Sequence, residues 1–173
     1  DRPRDPGALY VMPIFGLLAA SIAAVMLGNA RAAVADLVAL AAKKSPQGSR
    51  RTLAERATAQ SELAQAQARL HGAWAFLVEA VEAAWHEAKS NAEIKLATRA
   101  ALRLAATHGT RTAAEVCRSM YDLGGGSSLF LSSPLQRRLR DAQAGTQHMM
   151  VGAATYELTG RVAMGLPTDA TQL

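Results

Sequence analysis

The chain has 173 residues and a formal net charge of +5 at neutral pH, with half of its residues apolar and only 5% aromatic. That length supports one domain with a sizeable core, and alanine-rich apolar runs with so few aromatics point away from a β-sandwich and toward closely packed helices. The basic residues sit in small groups, Lys43-Lys44, Arg50-Arg51 and Arg137 to Arg140, without the continuous stripe, reading helix or stacking aromatics that nucleic-acid binding requires, so no nucleic acid is expected.

Residues 1–7 are a polar, proline-broken lead-in without a start methionine, which leads us to expect a piece of a longer protein. From Ala8 to Ala30 there is no formal charge, and a run of that length has to be weighed as a membrane span. Its alanine and glycine content, Pro13 and Gly16 near its start, and the continuation of the helical pattern through Arg31 and Asp36 favour a central bundle helix over about residues 13–42. No membrane is expected.

Lys43 to Arg51 is a linker marked by Pro46 and Gly48. Thr52 and Glu55 have the spacing of a capping box, which opens a helix over about residues 52–89. Leu63, Leu70, Trp74, Leu77, Val81 and Trp85 recur along it at spacings of three, four or seven, a core stripe that includes both tryptophans. Ser90 and Glu93 repeat the capping-box spacing and open a third helix over about residues 91–123, with Ile94, Ala101, Leu104, His108, Val116 and Met120 on its apolar side. Cys117, the single cysteine, forms no internal disulfide and reads as a small buried side chain in a reducing cytoplasm. Gly124 is placed to take a left-handed cap. His71, His86, His108 and His148 all lack a glutamate three residues before them, and no cysteine-histidine zinc spacing exists, so no metal is expected.

The glycine run Gly124-Gly125-Gly126 follows a helix and lacks the strand and spacing of a Rossmann or P-loop signature. Its interest is its position ahead of a helix start. Ser133 suits the N-cap, Pro134 the first helical position, and Gln136 completes a capping box, so a fourth helix is expected over about residues 134–164. Arg137 falls in the first turn, where free backbone N–H groups and the helix dipole favour an anion; loop N–H groups can converge on the same phosphate. Solvated arginines on a capped surface helix fit the same residues.

At 100° per residue, Leu135, Leu139, Ala142, Thr146, Met149 or Met150, Ala153 and Tyr156 form a core seam on this helix. The opposite stripe contains Asp141, Ala144, Gly145, His148, Gly152, Thr155 and Thr159, small apart from the aspartate and the histidine. Such a stripe admits either another helix or a flat ligand. Four long helices joined by short or moderate connections make the fold class all-α, an antiparallel four-helix bundle.

The run from the glycine loop through Pro134, Gln136, Arg137, Arg140-Asp141 and Gly145-Thr146 resembles the C-terminal helical domain of the acyl-CoA dehydrogenase superfamily. In that superfamily a Gly-Gly loop, an Arg-Asp pair and a Glu-Gly-Thr turn line the flavin. This sequence departs where a dehydrogenase carries its catalytic glutamate: Ala144 precedes Gly145-Thr146, and alanine cannot remove an α-proton. The segments SSPLQRRLRDAQAGTQH and YELTGRVAMGLP are closer to the type 2 branch, and resemble the oxygenase components of two-component flavin monooxygenases.

That resemblance implies a single C-terminal domain of a longer flavoprotein, inactive by itself, within a homotetramer or dimer of dimers. It implies FMN or FAD, delivered reduced by a separate flavin reductase, and a small aromatic or heterocyclic substrate. His148 is implied as the catalytic group beside the flavin, and Gly124, Gly125, Gly126, Ser127, Arg137 and Thr146 as cofactor contacts. Lys44 stands where the superfamily commonly has an arginine that reaches the flavin pyrophosphate of a neighbouring subunit; lysine keeps the charge and loses the planar fork. Two rival readings are an acyl-CoA dehydrogenase whose base is Glu115 or Glu157, and a non-enzymatic helical interaction module.

Overall fold

The computed structural model describes residues 7–90 and 93–173. Among them there are five α-helices and no strand: α1 Ile14–Ala41, α2 Ala57–Lys89, α3 Leu96–Gly124, α4 Pro134–Gly145 and α5 Ala154–Ala163. Short 3-10 turns precede α1 and α2, follow α3, and separate α4 from α5.

The molecule is built on the pairing of α1 with α3. Small side chains bring the two together: Ala19, Ala23, Ala30 and Ala33 on α1, and Ala105, Ala106 and Ala113 on α3, are fully buried. A Cβ at Gly16 would come within 2.6 Å of Leu102 Cδ2, so this crossing requires glycine or movement of the leucine. By length and composition α1 passes as a membrane-crossing helix, and here its buried face lies on α3.

Asp36 and Asn29 tie α1 to α4. Arg138 Nε donates to Asp36 Oδ2 at 3.1 Å, and Asn29 Nδ2 donates to the Arg138 carbonyl at 2.9 Å.

Helix α2 differs from its expected form at both its start and its core face. The Thr52-Glu55 capping box forms: the Thr52 backbone N–H donates to Glu55 Oε2 at 2.6 Å and the Thr52 hydroxyl at 2.9 Å. These bonds, the backbone one first, hold the Glu55 carboxyl below its ordinary pKa. The box opens only the 3-10 turn Leu53–Glu55, because Arg56 is extended and α2 starts at Ala57. Its buried seam is Ala59, Ala66, Leu70, Ala73, Leu77, Ala80 and Ala84. Trp74 and Trp85 are 51% and 39% exposed rather than core, since alanine draws α2 too close to its neighbour for indole rings to enter.

Helix α3 starts at Leu96 rather than near 91; Asn91 and Ala92 of the expected cap lie outside the described residues. Its start is capped from α2 instead, where Glu87 accepts the Lys95 backbone N–H and the Thr98 hydroxyl, both at 2.9 Å. At the other end the glycine with positive φ is Gly125 (+51°), not Gly124. Gly124 is required for another reason: a Cβ there would lie 2.1 Å from Ser128 Oγ and 2.8 Å from Leu135 Cδ1.

The expected helix over 134–164 is two helices. Thr146 Oγ1 donates back to the Gln143 carbonyl at 2.7 Å, His148 is extended (φ −70°, ψ 131°), and Gly152 is extended as well. Glycines at 145 and 152 weaken the helix by about 1 kcal/mol each relative to alanine, and the hydroxyl and imidazole offer the backbone other partners in that stretch. The small-residue stripe is therefore divided. Thr155 and Thr159 turn inward, whereas Ala144 and His148 face out.

The seam of that segment holds only in its first half. Leu135, Ala142 and Thr146 are buried, while Met149, Ala153 and Tyr156 are exposed.

Candidate functional site

The residues singled out in the sequence gather at the two ends of α4. Its twelve residues rise ~1.5 Å each, so those ends are about 17 Å apart.

At the N-terminal end, Lys44 meets the glycine run. Its ammonium donates to the Gly124 carbonyl, and a Cβ on Gly125 would lie 3.4 Å from Nζ. The charge thus sits on the last turn of α3, where free carbonyls and the helix dipole favour a cation. The Lys44 carbonyl accepts the Leu53 N–H at 2.7 Å, which fixes the linker from both sides.

Beyond the glycines, Ser127, Ser132, Ser133 and Pro134 line a cleft of about 250 Å³ together with Asp36, Leu40 and Leu135. A second cleft of about 200 Å³ lies beside it, lined by Leu131, Ser132, Ser133, Pro134, Gln136, Arg137 and Arg140. Ser133 occupies the N-cap position but makes no capping hydrogen bond, so the box expected with Gln136 is not formed. Hydroxyls, two guanidinium groups and the start of a helix border the same two clefts.

At the C-terminal end, His148 stands exposed on the 3-10 turn Met149–Val151. Its Nδ1 accepts the Met150 backbone N–H at 3.2 Å. A neutral imidazole accepting at Nδ1 carries its proton on Nε2, so the ring has an N–H donor on its free edge. Thr146 points the other way: it is 6% exposed, and its hydroxyl donates to Gln143 and accepts from Gln147 Nε2 at 2.9 Å.

One group was missed in the sequence. Arg103 of α3 is 2% exposed, with Nη1 donating to the Phe15 carbonyl at 3.3 Å and to Met150 Sδ at 3.5 Å. The available signal was Arg103, Thr107 and Thr110 recurring at helical spacing in an otherwise alanine-rich helix. Among the described residues no three histidine, cysteine, aspartate or glutamate side chains converge on a possible metal position.

Residues 20–153 match the family described as acyl-CoA dehydrogenase, C-terminal domain. Indole-3-acetate monooxygenase of Pseudomonas putida is 36% identical over 164 residues, which make up 95% of this chain and 42% of that protein. The 3-HSA hydroxylase from Rhodococcus sp. RHA1 superposes with a TM-score of 0.87 at 24% identity, over 98% of this chain and 43% of its own. XiaF from Streptomyces sp., solved in complex with FADH2 and glycerol, gives a TM-score of 0.87 at 23% identity, over 93% of this chain and 41% of its own. The chain spans about two fifths of the length of these relatives.

Proposed function

The chain belongs to the acyl-CoA dehydrogenase C-terminal domain family, and from that premise we propose that it is the C-terminal domain of the oxygenase component of a reduced-flavin-dependent two-component monooxygenase. The whole protein would act on an aromatic or heterocyclic substrate, in the cytoplasm, with reduced flavin delivered by a separate reductase. The name of the 36% identical relative supports that substrate class.

The observation that carries this reading is the environment of His148. A solvent-facing imidazole with Nδ1 held by its own backbone turn presents Nε2–H as a fixed donor. Ala144, in the position of the dehydrogenase glutamate, is exposed as well and offers no base.

The residues present fit a flavin in part. Ser127, Arg137 and the start of α4 suit a phosphate. The two clefts there, about 250 and 200 Å³, are smaller than the roughly 300–1,000 Å³ that encloses a drug-sized ligand. The remaining walls would come from the rest of the protein and from neighbouring subunits. When bound, the flavin supplies the redox chemistry with oxygen. Arg137 and the glycine-loop amides would hold its charged end, and His148 would offer its Nε2–H as a hydrogen-bond donor. Lys44, engaged with Gly124, orders the loop and adds positive charge beside it. Because α4 separates the two groups, one ligand touching both must be elongated.

Self-association as a tetramer or dimer of dimers is part of the proposal. Ile14 and Val25, 67% and 73% exposed along α1, form with Leu18 an apolar row of the kind that protein contacts cover.

The test uses the full-length protein containing this chain, supplied with a flavin reductase, NADH and oxygen. Product carrying one atom from molecular oxygen supports the proposal. Reduction of a dye by an acyl-CoA thioester, without oxygen-dependent product, contradicts it.

A further inference from the structure

We propose that Arg103 is a positioning residue for His148, acting through Met150: a buried guanidinium on α3 that braces the turn on which the imidazole stands. The inference rests on the monooxygenase reading for the role of His148, and on the contacts alone for the brace.

Between Thr146 and Val151, both buried, Gln147, His148 and Met149 are exposed, and Met150 alone packs against the core. The His148 ring makes one bond, in which Nδ1 accepts the Met150 backbone N–H at 3.2 Å, and the His148 carbonyl accepts the Val151 N–H at 3.0 Å. The imidazole is thus tied to the backbone at 150, and whatever holds that residue holds the ring. Arg103 Nη1 donates to Met150 Sδ at 3.5 Å and to the Phe15 carbonyl, in the first turn of α1, at 3.3 Å. One guanidinium nitrogen therefore joins α3, the start of α1 and the turn that carries His148.

The energetics of Arg103 point the same way. It is 2% exposed, makes no ion pair among the described residues, and keeps its Nε buried without a partner. Arginine keeps its charge in proteins, and a buried charge adds so little stability that a well-packed apolar side chain in its place is often neutral or stabilising. Such a residue earns its place through orientation. An apolar side chain fills the same space but cannot donate to a carbonyl of one element and a thioether of another. The thioether is a weak acceptor on a flexible, unbranched side chain, so this end of the brace can be released without unpacking the helices. A shift of about 1 Å in a catalytic donor is enough to matter.

The test is hydrogen exchange read by mass spectrometry on the full-length protein, in the peptide that covers residues 146–153 and in peptides of α1 and α3. In Arg103→Met that turn should exchange about three- to tenfold faster, the range that one net hydrogen bond supplies, with α1 and α3 changed by less than about twofold. Met150→Leu keeps the volume and removes the sulfur; it should show the same local effect, and it reads the brace even where Arg103→Met fails to fold. Arg103→Lys, which retains a donor, should recover part of the protection. The functional arm is product formed per NADH consumed. Arg103→Met should lower it in the wild-type background and cause no further fall in His148→Ala, because the arginine acts only through the imidazole.

Unchanged exchange at 146–153 in either Arg103→Met or Met150→Leu overturns the proposal. So does acceleration spread evenly through α1 and α3, which marks a residue that only holds the fold. Coupling untouched by Arg103→Met, or lowered by the same factor with and without His148, overturns it as well. The exchange arm involves no catalysis, so its failure is distinct from failure of the monooxygenase reading, which the incorporation of oxygen into product tests.

Discussion

His148 Nδ1 accepts the backbone N–H of Met150 at 3.2 Å, so the imidazole and the turn between α4 and α5 form one unit. The bond requires an unprotonated Nδ1 and assigns the neutral ring's proton to Nε2. Nitrogen-15 NMR of the histidine side chains should find the Nε2–H tautomer for neutral His148. A ring protonated on Nδ1 would show that the turn does not set the donor.

Gly124 and Gly126 are neighbours in the same loop with opposite steric demands. A Cβ at Gly124 meets Ser128 Oγ and Leu135 Cδ1 well inside van der Waals contact, whereas one at Gly126 meets nothing within 4 Å. Gly124→Ala should destabilise by about 1–3 kcal/mol through overpacking, and Gly126→Ala by no more than about 0.5 kcal/mol. Denaturant melts of the two variants check this, and equal losses would contradict the packing described.

How far the sequence could be read is clear from these same residues. Capping spacing located the Thr52-Glu55 box, because a capping box is a local event between residues three apart. Helices α1, α2 and α3 followed from periodicity, with ends shifted by a few residues. The break at 146–153 was not legible from the 100° pattern, which assumes a continuous helix; two glycines and a back-bonding threonine decided it. Trp74 and Trp85 were misplaced because hydrophobicity at helical spacing does not say how close an alanine seam brings two helices. Arg103 was overlooked because its burial depends on α1 and the Met149–Val151 turn folding over it, a long-range contact without a local signature.

Arg137 and Lys44 should contribute unequally to cofactor affinity. Arg137 is exposed beside the start of α4, while the Lys44 ammonium is already engaged by the Gly124 carbonyl. In the full-length protein Arg137→Gln should weaken reduced-flavin binding by about tenfold, in line with loss of one charge-assisted contact. Lys44→Met should weaken it less and lower the melting temperature. A larger affinity loss from Lys44→Met would mean that the lysine leaves Gly124 to grip the cofactor.

Cys117 should be chemically silent. Burial pushes its thiol up to about 12, with Asn29 Nδ2 3.6 Å from the sulfur. A folded pKa raised above the ordinary thiol value leaves the thiol's contribution intact below that ordinary value. The contribution is lost as pH rises toward the folded pKa. Iodoacetamide at pH 8 should label Cys117 only after unfolding, as mass spectrometry would read directly; labelling of the native protein would contradict its burial.

The most direct test of the central claim is the coupling of His148→Ala in the full-length enzyme, measured as product formed per NADH consumed alongside peroxide released. With the helical fold retained by circular dichroism, the account requires product per NADH to fall and peroxide to rise. Coupling equal to wild type would show that the imidazole takes no part in the reaction and would remove the basis for placing the site at this turn.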